Sequence, residues 1–263
     1  METPRGHPDA IVRPTRAQHV LDVDRRAPGD ALAPYVDYHW YVGWRVGEPY
    51  RQQVVPQPRI HVAAEQGRLL VHGISREPFV RTLTGTGHVL GASFRPGWFR
   101  CLLRSSVAAL ADRVVPAGDV LGVDDRAAAE EILGTDDVSV MVAAMERYLL
   151  AARPVPDPVA DEVAALVAWA EGQHDLTRAE DLAAHAGVSL RSLQRVFSDY
   201  LGIGPKWVIA RYRLLDAAAA AHGGDPVDWA ALAASLGFTD QAHLTRAFTA
   251  VVGTPPATYR REL

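Results

Sequence analysis

Residues 187–202, GVSLRSLQRVFSDYLG, and residues 237–253, GFTDQAHLTRAFTAVVG, are two versions of one unit, and no other feature of the chain restricts its fold as much. In the first copy Leu193, Val196, Phe197 and Tyr200 recur at three- and four-residue spacing, which puts them on one inward stripe of a helix. Arg191, Gln194, Arg195 and Ser198 fall on the opposite stripe. The preceding DLAAHAGVS reads as a short helix, a tight turn at Gly187 and a cap at Ser189. This is the grammar of a helix-turn-helix, whose second helix enters a major groove. Arginine suits that use because it bonds two guanine acceptors at once, and glutamine does the same for adenine.

The second copy follows the plan with WAALAASL as the short helix, Gly237 as the turn and DQAHLTRAFTAVV as the second helix. Leu244, Ala247, Phe248 and Val251 face inward, while Gln241, Ala242, His243, Thr245 and Arg246 face outward. Arg195 and Arg246 are 51 residues apart but the opening glycines only 50, so the second turn carries one extra residue. Between the copies GPKWVIARYRLLDAAAAA predicts an alanine-rich helix that Pro205 starts well. About seventeen residues make a strut of roughly 25 Å. Two reading helices on it reach successive major grooves on one face of a duplex, whose turn is about 34 Å, and read two unequal halves of one site.

The chain before the repeat uses other periods. From Tyr35 to Arg95 the pattern is β-like: YVDYHWYVGW is aromatic and β-branched, RIHVAAEQGRLLVHGI reads as two strands about a Gln66-Gly67 turn, and FVRTLTGTGHVLGASF reads as another pair. After Arg95-Pro96-Gly97 the pattern turns helical, over roughly 98–110, 125–134 and 137–152. RPVPDP at 153–158 places three prolines in six residues and marks a boundary between 1–153 and 154–263. Beyond it helices are expected near 157–171, 178–186, 190–200, 205–221, 228–236, 240–251 and 256–261. Thr177 with Glu180 has capping-box spacing, Ser189 and Thr239 precede apolar runs, and Gly172, Gly202 and Gly223 sit where helices should stop. The expected class is α+β: a β-rich amino-terminal domain with trailing helices, then an all-α double helix-turn-helix domain.

From about residue 160 to 263 the chain resembles the DNA-binding domain of AraC/XylS-type transcription regulators, two helix-turn-helix units joined by a long helix. The carrying motifs are AGVSLRSLQRVFSDYLGIGP and LGFTDQAHLTRAFTAVVGTPPATYRR. The second is the more specific, with Gly237-Phe238, then Leu244-Thr245-Arg246 and Phe248, then Gly253, Pro256 and Tyr259-Arg260. The resemblance implies base contacts by Arg191, Gln194, Arg195 and Ser198 in the first half-site and by Gln241, Ala242, His243, Thr245 and Arg246 in the second. Phosphate anchoring by Lys206, Arg211 and Arg213 is a lesser expectation. Ala242 and Asp240 depart from polar or basic expectation there. Tyr259 is expected to pack the last helix. Regulators of this type commonly add a sensor or dimerisation domain, and the amino-terminal half is similar to their cupin-like barrels, including the Arg-Pro-Gly step.

In that half Tyr38, Trp40 and Trp44 lie on one side of a strand, as barrel core or as the wall of a small-molecule effector pocket. His39, His61, His72 and His88 invite a metal reading, but a close His pair followed by Glu is missing and His61 with Glu65 is the nearest match; no metal or cofactor is expected. GTGH at 85–88 lacks the lysine of a phosphate loop, and no Gly-x-Ser-x-Gly elbow occurs, so a nucleophilic enzyme has no candidate. The single cysteine, Cys101, excludes a disulfide framework and reads as a buried hydrophobe. Residues 125–152 offer a homodimer surface or ordinary core. The polar start of the chain and the lack of a long apolar run predict a cytoplasmic protein without a membrane partner. Residues 154–263 hold nine Lys and Arg against thirteen Asp and Glu, so any attraction to DNA must come from local clusters. Two competing classes are a metal-dependent barrel enzyme with a helical targeting module and a protein-interaction module that has lost DNA affinity.

Overall fold

The computed structural model describes residues 20–103, 105–222 and 226–261. The expected stop at Gly223 and most of the polar amino-terminal stretch lie outside the described residues. The amino-terminal half is one six-stranded sheet of order β1-β2-β5-β3-β4-β6, from β1 (Leu21–Arg26), β2 (Val36–Val54), β3 (His61–Glu65), β4 (Arg68–His72), β5 (Phe79–Phe94) and β6 (Val114–Pro116). All ladders are antiparallel, and β3 and β4 join at the anticipated turn, with Gln66 and Gly67 both at positive φ. Among the described residues β1 and β6 are two open edges, so the sheet does not close into the expected barrel.

The stretch expected to be a strand pair, FVRTLTGTGHVLGASF, is the single strand β5. Its glycines do not reverse the chain. Gly85 (φ +60) stands opposite Val46 where the β2 register slips, and Gly87 lies beneath Trp44, whose ring occupies the space a Cβ would need, 2.6 Å away. A bulge and an overlying ring use the same residue type as a hairpin turn.

One face of the sheet presents Val62, Ala64, Leu69, Val71, Leu90 and Ala92, all fully buried. Helices α2 (Arg126–Leu133) and α3 (Val138–Ala151), following the short α1 (Ala117–Leu121), cover it with Ile132, Met141, Met145 and Leu149. The helix expected over 98–110 is instead two 3-10 turns, Trp98–Leu102 and Val107–Leu110, entered through Gly97 at φ +83. Cys101 is buried there, and burial pushes its thiol up to about 11.

The carboxy-terminal half is helical: α4 (Pro158–Gly172), α5 (Ala179–His185), α6 (Leu190–Leu201), α7 (Pro205–His222), α8 (Trp229–Ser235), α9 (Gln241–Val252) and α10 (Pro256–Arg261). Two expected caps move. Arg178 rather than Thr177 stands at the start of α5 without a side-chain cap, because Thr177 fills the space beside Gly237, 2.3 Å from where a Cβ would sit. Asp240 rather than Thr239 caps α9. The buried core continues without a break from the sheet layer into these helices.

Candidate nucleic-acid interface

The two copies share one backbone plan. In each, a seven-residue helix ends in a glycine at positive φ, Gly187 (+66) or Gly237 (+76). The next residue returns its N–H to the helix before it, Val188 to Ala183 O at 3.1 Å and Phe238 to Ala233 O at 2.9 Å. Then comes a capped twelve-residue helix: Ser189 Oγ accepts from Ser192 N at 3.1 Å, and Asp240 Oδ1 accepts from His243 N at 2.7 Å. Both helices stop on a left-handed glycine, Gly202 or Gly253. The extra residue of the second turn is Thr239.

The stripes divide as the spacing demands. Leu193, Phe197, Leu244 and Phe248 are at most 1% exposed, and Phe248 meets Tyr259 edge-on at 5.6 Å. Arg191, Gln194, Arg195 and Ser198 are exposed on α6, and Gln241, Ala242, His243 and Arg246 on α9, with Thr245 half-buried. Among the described residues neither Arg191 nor Arg195 is ion-paired, because Asp199, the nearest acid on α6, turns instead toward Arg100 at 3.7 Å. The Asp240 carboxylate is engaged by the helix it caps. Tyr200, expected inward, is half-buried, its hydroxyl donating to Asp157 Oδ2 at 2.6 Å and its ring facing Arg100 of the amino-terminal half.

Of the basic residues on α7, Lys206 is exposed at its first turn. Arg211 is not available to a phosphate. It is 3% exposed, its guanidinium lies over Trp207 at 4.6 Å, and Nη2 donates to Arg76 O at 3.3 Å, so burial lowers its pKa to about 10. Arg213 is equally buried, between Ala170 O and Asp216. The turn of α7 that carries them packs inward, which the alanine-rich pattern does not disclose.

Residues 182–262 match the sequence profile of a helix-turn-helix domain, and the match runs from α5 through both capped helices to the last helix. The chain carries a helix-turn-helix domain, the type of unit that reads duplex DNA. The DNA-binding domain of AdpA, a global transcriptional factor solved in complex with a target DNA, is 30% identical over 40% of this chain and 92% of its own, with a TM-score of 0.34. The carboxy-terminal domain of AraT, a response regulator from Geobacillus stearothermophilus, is 23% identical over 41% of this chain and 87% of its own, with a TM-score of 0.35. ToxT from Vibrio cholerae, solved with an unsaturated fatty acid bound, is 11% identical over 93% of this chain and 95% of its own, with a TM-score of 0.40. Residues 24–116 match a domain of unknown function (DUF6597).

In that domain Tyr38, Trp40 and Trp44 do share one face of β2, in unbroken register with Ser93, Gly91 and Gly87 of β5. Each tryptophan lies flat where a glycine leaves room, Trp40 over Gly91 and Trp44 over Gly87, so the rings occupy the face themselves. Two surface hollows of the described residues, about 470 and 430 Å³, lie elsewhere: beside Gly67, Arg126 and Glu130, and beside Ser106, Arg195 and Tyr200. The four histidines are dispersed. His39 faces Glu146 at 3.1 Å, His61 takes the Trp40 indole N–H at 3.3 Å, His72 faces Glu65 at 2.5 Å, and His88 stacks with Tyr41. Burial alone would raise the Glu65 carboxyl, but His72 and Arg81 hold it below its ordinary value. Among the described residues no three His, Cys, Asp or Glu groups converge as metal ligands.

Proposed function

We propose that the protein is an AraC-type transcription regulator that binds an asymmetric promoter site, α6 reading one half with Arg191, Gln194, Arg195 and Ser198 and α9 the other with Gln241, Ala242, His243, Thr245 and Arg246. The observation that carries this is the pair of equally capped helices whose polar stripes face solvent. Lys206 supplies a phosphate contact. The chain divides at 153/154 into a sensor and a DNA-binding unit, a division supported by Arg153 at φ +53 directly before the proline-rich segment. The sensor takes a small-molecule effector on the face of Tyr38, Trp40 and Trp44, where the Ser93 hydroxyl is buried without a partner among the described residues, and biases DNA binding by population shift. Residues 125–152 give a homodimer surface. The role asks for no catalytic group, and it places the protein in the cytoplasm; no helix of the described residues is long and apolar enough to cross a membrane.

The test is retention of genomic duplex fragments by the full chain at roughly physiological salt, followed by sequencing. A shared motif with two unequal halves about one turn apart supports the proposal. No enrichment by the wild type, or a motif unaltered by Arg195→Ala, overturns it.

A further inference from the structure

The two reading helices are held differently by the amino-terminal half. Along α6 the 3-10 turns Trp98–Leu102 and Val107–Leu110 form a seam. Ser106 Oγ donates to Asp199 O at 3.4 Å, Arg100 Nε approaches Asp199 Oδ2 at 3.7 Å, and the same guanidinium lies 5.8 Å from the Tyr200 ring. At the end of the helix Gly202 is pressed on the second 3-10 turn: a Cβ there would meet Val107 O at 3.2 Å and Ala111 Cβ at 3.4 Å. Val107 and Leu110 are buried, and Val155 N donates to Cys101 O at 3.0 Å, which ties the connector to the same segment. The hollow of about 430 Å³ beside Ser106 extends along this seam to Arg195, so the segment borders the reading surface itself. By contrast α9 meets the amino-terminal half at its last turn, where Gln53 Nε2 donates to Val251 O at 3.0 Å.

We infer that residues 98–103 and 105–111 are a positioning element for the first reading helix, with Arg100 and Ala111 setting the angle at which Arg191, Gln194 and Arg195 meet the bases. A twelve-residue helix is about 18 Å long, so a tilt of roughly 5° about its Gly202 end displaces Arg191 by about 1.5 Å. That exceeds what a paired hydrogen bond to a base edge tolerates. The base preference of one half-site then depends on the amino-terminal half of the chain, and that of the other far less. This rests on the DNA-reading role proposed above.

The experiment uses the full chain and a randomised duplex library about four turns long. Arg195→Ala and Arg246→Ala assign the two halves of the wild-type motif to α6 and α9. Ala111→Trp then wedges the seam and Arg100→Ala loosens it. Both should flatten base preference in the α6 half by about tenfold while leaving the α9 half as in wild type. Amide exchange without DNA should quicken across 190–201 and stay unchanged across 241–252. If Ala111→Trp does not fold by thermal melting, Arg100→Ala decides. A motif kept intact in both halves, or flattened equally in both, sinks the inference alone, as does unchanged exchange across 190–201. A wild-type chain that enriches no motif removes the DNA-reading role, and this inference with it.

Discussion

Arg195 and Arg211 have the same side chain and opposite surroundings, and the difference predicts how each variant behaves. Arg195 is exposed on α6 with no ion partner among the described residues, so Arg195→Ala should cost specific binding about 1–3 kcal/mol and relax preference at its base position. Lys206→Ala should weaken binding to all sequences alike and lower the salt slope by about 0.9. Arg211→Met should leave that slope unchanged, because the buried guanidinium releases no counterion; titrations at several salt concentrations separate the three. Asp125 makes a pH prediction. Burial would raise its carboxyl, but Arg68, bonded to both its oxygens at 2.6 and 3.2 Å, and the Gly118 N–H hold it below its ordinary value. A depressed folded pKa means stability that is present above the unfolded value, roughly pH 4, and is lost as pH falls through the folded one. Asp125→Asn should therefore be less stable at neutral pH by about 2–3 kcal/mol and show a flatter acid limb, which urea midpoints at neutral and acid pH will reveal.

Among the elements, the helix starts carry opposed demands. Asp240 caps α9, but the same carboxylate stands at the end of the helix that must approach phosphate. Asp240→Ala should cost about 1 kcal/mol in a thermal melt. Asp240→Ser should keep stability within about 0.5 kcal/mol and tighten low-salt duplex binding by removing a like charge; an unchanged affinity would place Asp240 away from the DNA. The helices were legible in the sequence because period, cap and stop glycine are local features that agree with one another. The sheet was legible only in part. The role of Gly85 and Gly87 depends on Trp44 and Val46 some forty residues earlier, so a bulge under a ring looked like a turn. Thr177 missed its cap because Gly237, sixty residues on, takes it as a neighbour. Arg211 was misassigned for the same reason: the loop that buries it carries Arg76, from the other half of the chain.

For the whole molecule the question is whether two halves joined at 153–158 behave as two bodies. Domains tied by a free linker unfold separately, whereas halves sharing a buried core unfold together. Here the core is shared, with Gly97 against Val163, and polar ties cross it: Arg95 approaches Asp161 at 3.8 Å, Arg211 bonds Arg76 O and Gln53 bonds Val251 O. The six tryptophans divide evenly, Trp40, Trp44 and Trp98 before the connector and Trp169, Trp207 and Trp229 after it, which gives each half its own reporter. Replacing either set by phenylalanine should leave two proteins in which each fluorescence midpoint in urea coincides with that of its own circular-dichroism transition, with a single transition in each. Adding duplex that contains the enriched motif should raise both midpoints together, since a ligand of the native state stabilises every part that unfolds with it. Separate midpoints for the two reporters, or a duplex shift confined to the carboxy-terminal tryptophans, would mean that the seam along α6 opens before the halves unfold, and that the reading helices are not held by the sheet.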